Sequence, residues 1–160
     1  MDYFRFRLIL KHLYYQKEVT IMKIAIDFDG TIVEHTYPSI GKEKLFAFDT
    51  LRELMKQNHQ LILWTSRVGK ELDEAIDFCR ERGVEFYAVN KNYPEEVCDE
   101  TISRKIVADV YIDDRNIGGL PGWGEIWQML NPGEAMPKTD IGKGSTISGK
   151  IGNLFKKDKS

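Results

Sequence analysis

Met22-Lys23-Ile24-Ala25-Ile26-Asp27-Phe28-Asp29-Gly30-Thr31 decides how this chain folds. Ile24, Ala25 and Ile26 form a short apolar run that suits a strand covered on both faces, and Gly30 marks a turn directly after it. Strand alternation sends residues i and i+2 to the same side, so Asp27 and Asp29 reach one ligand while Phe28 points away. Two carboxylates so close repel unless a cation or a shared proton intervenes. The pair therefore reads as an aspartate nucleophile beside an acid/base. Asp-x-Asp-Gly also occurs in plain turns and calcium loops, where backbone needs alone select it, so the remaining sequence has to choose.

Working outward, the pattern alternates. Ala47, Phe48, Leu51, Leu54 and Met55 recur at helical spacing within 44–57, and Leu61-Ile62-Leu63-Trp64 is an apolar strand running into Thr65-Ser66-Arg67. A second helix carries Leu72, Ala75, Ile76 and Cys79 on its apolar face and stops at Gly83. Residues 84–89 form a third predicted strand, followed by the polar loop Asn90-Lys91-Asn92-Tyr93-Pro94 and a less regular stretch. Residues 108–112 form a fourth strand, running into Asp113-Asp114-Arg115. Strands alternating with helices of this length predict an α/β fold, with a doubly wound parallel sheet and right-handed crossovers. Trp123 and Trp127, four apart, read as the core face of a further helix.

The 160 residues allow one domain with a substantial core and leave no room for two. The expected division is an N-terminal extension over 1–21, a catalytic domain over 22–131 and a flexible tail over 132–160. Residues 1–21 are rich in aromatic and basic side chains. Leu8, Leu10 and Leu13 are spaced for an amphipathic helix, yet Met22 abuts the first strand and is a candidate native start. With 25 acidic and 23 basic residues the net charge is −2, so no global field draws the chain to nucleic acid or a membrane. Cys79 and Cys98 have no CxxC spacing, which argues against a zinc site or a disulfide framework. No apolar stretch approaches the roughly 20 residues a membrane span needs, and the expected compartment is the cytoplasm. The three histidines, His12, His35 and His59, are scattered and read as surface or turn residues.

Polar residues follow three of the four predicted strands. In a parallel sheet these positions share one edge, so Asp27, Asp29, Thr65, Ser66, Asp113 and Asp114 are expected to converge. Converging carboxylates need a hard cation, and magnesium suits a few oxygen ligands completed by water and a substrate phosphate.

In this order the motifs resemble those of the haloacid dehalogenase superfamily of phosphatases. Asp27-Phe28-Asp29-Gly30-Thr31 resembles the first motif, Thr65 the second, Lys105 the third and Ile112-Asp113-Asp114 the fourth, over roughly 23–130. The resemblance implies a Rossmann-like fold and a magnesium-dependent phosphatase. It makes Asp27 the nucleophile and Asp29 the acid/base. The metal would be held by Asp27, the backbone carbonyl of Asp29, and Asp113 or Asp114. Thr65 and Ser66 would bind the phosphoryl oxygens and Lys105 would neutralise charge, with Arg104 and Lys91 as its rivals. Members of the superfamily select substrates through cap insertions, and neither insertion point has room here, so a capless, open site is expected. Arg67, and His35 and Tyr37 in a flap over 33–41, are the candidate substrate contacts; Arg115 is a further one. Phosphate monoesters are the implied substrates. Nucleotides or polynucleotide ends are an alternative, because Ile112-Asp113-Asp114-Arg115 resembles deoxyribonucleotidase and polynucleotide phosphatase sequences. Two readings from another class stand beside these. A receiver domain would have its Thr and Lys after the acidic positions, whereas here an acidic pair follows the Lys, and the retained Asp29 implies turnover rather than a stable phospho-signal. A phosphate-binding module that has lost catalysis would lack a motif residue, and none is missing.

Overall fold

The computed structural model describes residues 20–97 and 99–138. Its elements are β1 (Lys23–Ile26), α1 (Ala47–Lys56), β2 (Gln60–Leu63), α2 (Gly69–Glu81), β3 (Ala88–Val89), β4 (Val110–Ile112) and α3 (Trp123–Leu130). The four strands form one sheet in the order β3-β2-β1-β4. Every pairing is parallel. The fold is therefore α/β around a parallel sheet, as the alternating pattern predicts. Residues 1–19 of the N-terminal extension, where Leu8, Leu10 and Leu13 lie, are outside the described residues, as are the tail beyond 138 and Cys98.

Alternation along the strands sorts the sheet into two unlike faces. Ile24 and Ile26 of β1, Leu61 and Leu63 of β2, and Ile112 of β4 share one core with Phe48 and Leu51 of α1, Ala75 and Cys79 of α2, and Trp123 and Trp127 of α3. Ile62, Ala88 and Ile106 form a smaller cluster with Trp64. Helices on both faces are thus not what the described residues show. The connection from β3 to β4 takes the second face and forms no helix among its described residues. Its stretch from Asn90 to Pro94 is tied by side-chain bonds to backbone amides, which compete with a helical ladder: Asn92 Oδ1 accepts the Val107 N–H at 2.7 Å, and Glu96 Oε2 accepts the Asn92 N–H at 2.6 Å.

Three predicted elements are shorter than their patterns. α1 begins at Ala47 because Phe46 sits at φ 65°. Residues 84–87 first hug the end of α2, the Val84 N–H donating to the Cys79 carbonyl, before the Tyr87 N–H meets β2 at the Leu61 carbonyl. At β4 the Asp109 N–H bonds the Lys23 carbonyl, so regular pairing starts one residue later. Trp123 and Trp127 are both buried on α3, as core residues. His59, read as a turn or surface residue, is buried too; its Nδ1 accepts the Met22 N–H at 3.0 Å, and burial lowers its pKa.

Chain order and sheet order part company at β1. The chain moves from β1 to β2 and β3 on one side, then returns to β4 on the other. Ligands of open α/β sheets sit at the carboxyl ends of the strands flanking such a change of direction. No helix among the described residues is long and apolar enough to cross a membrane.

Candidate active site

Strand register sets the first part of the site. Ile26 pairs with Leu63 and with Ile112, so the residues one step further, Asp27, Trp64 and Asp113, leave the sheet at the same level. The Asp27 N–H still bonds the Ile112 carbonyl at 3.0 Å. The chain then turns sharply, and the Phe28 carbonyl accepts from the N–H groups of Thr31, Ile32 and Val33. Gly30 is required at this turn twice over. Its φ is +90°, and a Cβ there would lie 2.2 Å from Asp114 Oδ2.

Thr31, fully buried, ties the two strand ends together. Its hydroxyl donates to Asp27 Oδ2 at 3.1 Å and accepts the Asp114 N–H at 3.0 Å. Its carbonyl accepts the Trp123 indole N–H at 2.9 Å, which anchors the turn to α3. Asp27, Asp113 and Asp114 each bring a carboxylate oxygen within 4.8 Å of the others. Burial is the main reason that the Asp27 carboxyl is pushed up to about 6, with Asp113 and Asp114 adding repulsion against hydrogen bonds that pull it down. Asp113 Oδ1 accepts the Arg115 N–H. Asp114 Oδ1 is buried with no hydrogen-bond partner, the Arg115 Nε standing 3.7 Å away. Three mutually repelling carboxylates, one with an orphaned buried oxygen, fit a hard divalent cation. The Asp29 carboxylate is not in this group.

At the end of β2, the Thr65 N–H donates to Asn90 Oδ1 at 2.8 Å, and the Thr65 hydroxyl accepts the Arg67 N–H at 3.2 Å. Asn90 follows β3 at φ 52° and fixes Thr65 from the neighbouring strand. An Asn after the last apolar residue of a strand was the available signal for that role. Thr65 and Ser66 line a cavity of about 500 Å3 with Asp27, Asp29, His35, Tyr37, Arg67, Asp113, Asp114 and Arg115. Every site residue named from the sequence borders it except Lys105 and its rivals Arg104 and Lys91.

Lys105 is exposed, with its Nζ 5.8 Å from the Tyr111 ring centroid. The connection to β4 lies against the second face of the sheet, where Ile106 is buried and its carbonyl accepts the Tyr111 hydroxyl, so Lys105 is carried away from the strand ends. Its rivals border the Thr65–Ser66 side. Lys91 and Arg104 line an adjoining cavity of about 890 Å3 that also includes Thr65 and Ser66.

Arg67 also departs from its expected role as a substrate contact. It is 1% exposed, turned into the flap, and forms a two-pronged ion pair with Asp29: Nε to Oδ2 at 2.7 Å and Nη2 to Oδ1 at 2.8 Å. That bond is the main reason its guanidinium pKa is raised. His35 and Tyr37 are exposed at the cavity rim. Cys79 is buried, which pushes its thiol up to about 12 and makes it inert.

Among solved structures, the chain is similar to a conserved protein coded by a locus of Bacteroides thetaiotaomicron. The two are 56% identical and superpose with a TM-score of 0.67, over 72% of this chain and 94% of that one. The chain belongs to the same family as that protein. No family model matches it, and no curated protein does. Kinship therefore supplies a scaffold, and the chemistry has to be read from the residues around Asp27.

Proposed function

We propose that this protein is a magnesium-dependent phosphohydrolase of the haloacid dehalogenase type, on a Rossmann-like sheet without a cap. One observation carries the reading: Asp27, at the β1 end of the chain reversal, shares a cavity with the Asp113-Asp114 pair and with Thr65 and Ser66. A nucleophile, a cation site and hydroxyl donors for a phosphoryl group are the parts a phosphate monoester requires.

In this mechanism Thr31 holds Asp27 Oδ2, which leaves Oδ1 to attack phosphorus. The step starts from Asp29 protonated on a lone pair that Arg67 leaves free. The bond to the ester oxygen breaks as Asp29 gives that oxygen this proton, so the alcohol leaves and the phosphoryl group stays on Asp27. Water then attacks phosphorus and passes its proton to Asp29. Inorganic phosphate leaves and Asp27 is restored. Thr65 and Ser66 hold phosphoryl oxygens. Asp27, Asp113 and Asp114 would hold the divalent cation, which neutralises the charge of the phosphoryl group and of the carboxylates around it. Lys91 takes the place of Lys105 as the basic residue in this reading, because it comes two residues after β3 and borders the Thr65–Ser66 side, its Nζ donating to the Pro94 carbonyl at 3.1 Å. The exposed rim at His35 and Tyr37 suits terminal or bulky phosphates, nucleotides among them.

Phosphate release from a panel of nucleotides, sugar phosphates and a phosphopeptide tests this. Turnover that needs magnesium and disappears in Asp27→Asn is expected. Turnover that survives Asp27→Asn sinks the mechanism.

A further inference from the structure

The guanidinium of Arg67 has five N–H groups and all five are used. Besides the two bonds to Asp29, Nη1 donates to the Pro38 carbonyl at 3.0 Å and the Glu71 carbonyl at 3.4 Å, and Nη2 donates to the Ser39 carbonyl at 2.8 Å. The group lies 5.0 Å from the Phe28 ring centroid and 5.3 Å from that of Tyr37. With no donor left over, Arg67 is not available to a substrate phosphate. Its partners belong to three parts of the site: the Asp29 carboxylate, the tip of the flap and the first turn of α2.

We propose that Arg67 is a positioning residue, which sets the Asp29 carboxylate for proton transfer and makes that setting depend on the flap that carries His35 and Tyr37. This rests on the reading of Asp29 as the acid/base. A planar fork that grips both oxygens fixes the carboxylate's plane and takes one lone pair from each oxygen, leaving the second to face the cavity. The flap closes on the same fork. Its own ladder is thin: the Glu34 N–H bonds the Lys42 carbonyl and the Lys44 N–H bonds the Ile32 carbonyl. A substrate that shifts Pro38 and Ser39 by touching Tyr37 therefore shifts the group that holds Asp29. Recognition at the rim and protonation of the leaving oxygen are thereby linked through one side chain.

Leaving-group dependence separates this role from simple support of the fold. An alkyl phosphate needs its leaving oxygen protonated, whereas 4-nitrophenyl phosphate departs as a stable phenolate. Arg67→Lys keeps the charge but has three donors and no fork. Its kcat is expected to fall about 100-fold on the alkyl ester and less than about fivefold on the aryl ester, the loss typical of a misplaced general acid. Asp29→Asn is expected to show the same selectivity, and Asp29→Asn/Arg67→Met to be no worse than Asp29→Asn. The double variant also removes both charges of the buried pair, so it reports where Arg67→Met alone does not fold. Hydrogen exchange at the Glu34 and Lys44 amides is expected to quicken in Arg67→Lys. Equal losses on the two esters, additive losses in the double variant, or unchanged flap exchange would each overturn the role of Arg67 while leaving the Asp27 chemistry intact. Activity that persists in Asp27→Asn would instead overturn the phosphohydrolase reading, and this role with it.

Discussion

Asp27 and Asp29 stand two residues apart and occupy opposite electrostatic worlds. Asp27 sits among other acids: Asp113 and Asp114 face it, burial pushes it up to about 6, and Asp114 Oδ1 has no hydrogen bond. Asp29 sits in a charge-compensated shell, with both oxygens bonded to an arginine whose other donors are spent on the flap and on α2. The acid cluster has only Arg115 beside it, at 3.7 Å from Asp114, whereas the flap side is already neutralised, so the first region is the one of the two that could hold a cation. Uncompensated polar groups mark where a ligand is missing, and compensated ones mark what the fold itself holds in place.

The largest test of that contrast is Asp27, the proposed nucleophile. Asp27→Asn is expected to lower turnover more than about a thousandfold, about 4 kcal/mol of barrier, measured as phosphate release under saturating magnesium. Next comes the flap side. Arg67→Met leaves Asp29 buried beside an apolar chain and is expected to destabilise the fold by about 3 kcal/mol, read from chemical denaturation, because breaking a buried pair strands its partner. The corresponding change in the acid cluster has the opposite sign. Asp114→Asn removes one of three repelling charges, so it is expected to raise the melting temperature without cation while weakening magnesium binding about tenfold or more in a calorimetric titration.

Gly30→Ala probes the approach between the two strand ends. It forces a Cβ onto Asp114 Oδ2 at a positive φ, and a loss of about 1 to 2 kcal/mol with weaker magnesium binding is expected. The smallest effect is the pH dependence. The folded-state pKa of Asp27 is raised from 3.8 to about 6, so between those values the folded chain holds a proton that the unfolded chain has lost. Cation-free stability should therefore fall as pH rises through that window. A cation must displace that proton, so magnesium is expected to raise the melting temperature by about a few degrees at pH 7.5 and by less at pH 5. A shift that is equal at both pH values would place the cation away from Asp27.

Much of the site was legible because it lies within short runs that follow apolar strands. Asp27, Thr65 and Asp113 each come just after a buried run, and a strand's end is a local property. Arg67 was legible as a neighbour of Thr65, but its burial was not. Nothing in Thr65-Ser66-Arg67 tells that Pro38 and Ser39 come close enough to take its donors. Thr31 reads as the end of a turn motif, and its bridge to Asp114, 83 positions away, exists only because β1 and β4 are neighbours.

By itself the sequence determined the alternating elements, the parallel sheet and the residues that leave three of its strands, because apolar periodicity and turn chemistry act over a few residues. Only the tertiary structure decided which charges meet. It put Lys105 near the Tyr111 ring and Lys91 in one cavity lining with Thr65, left the second face, among the described residues, to a crossover without a helix, and spent Arg67 on Asp29. Those outcomes depend on where a crossover runs and which side chains it brings together, and no local pattern carries that information.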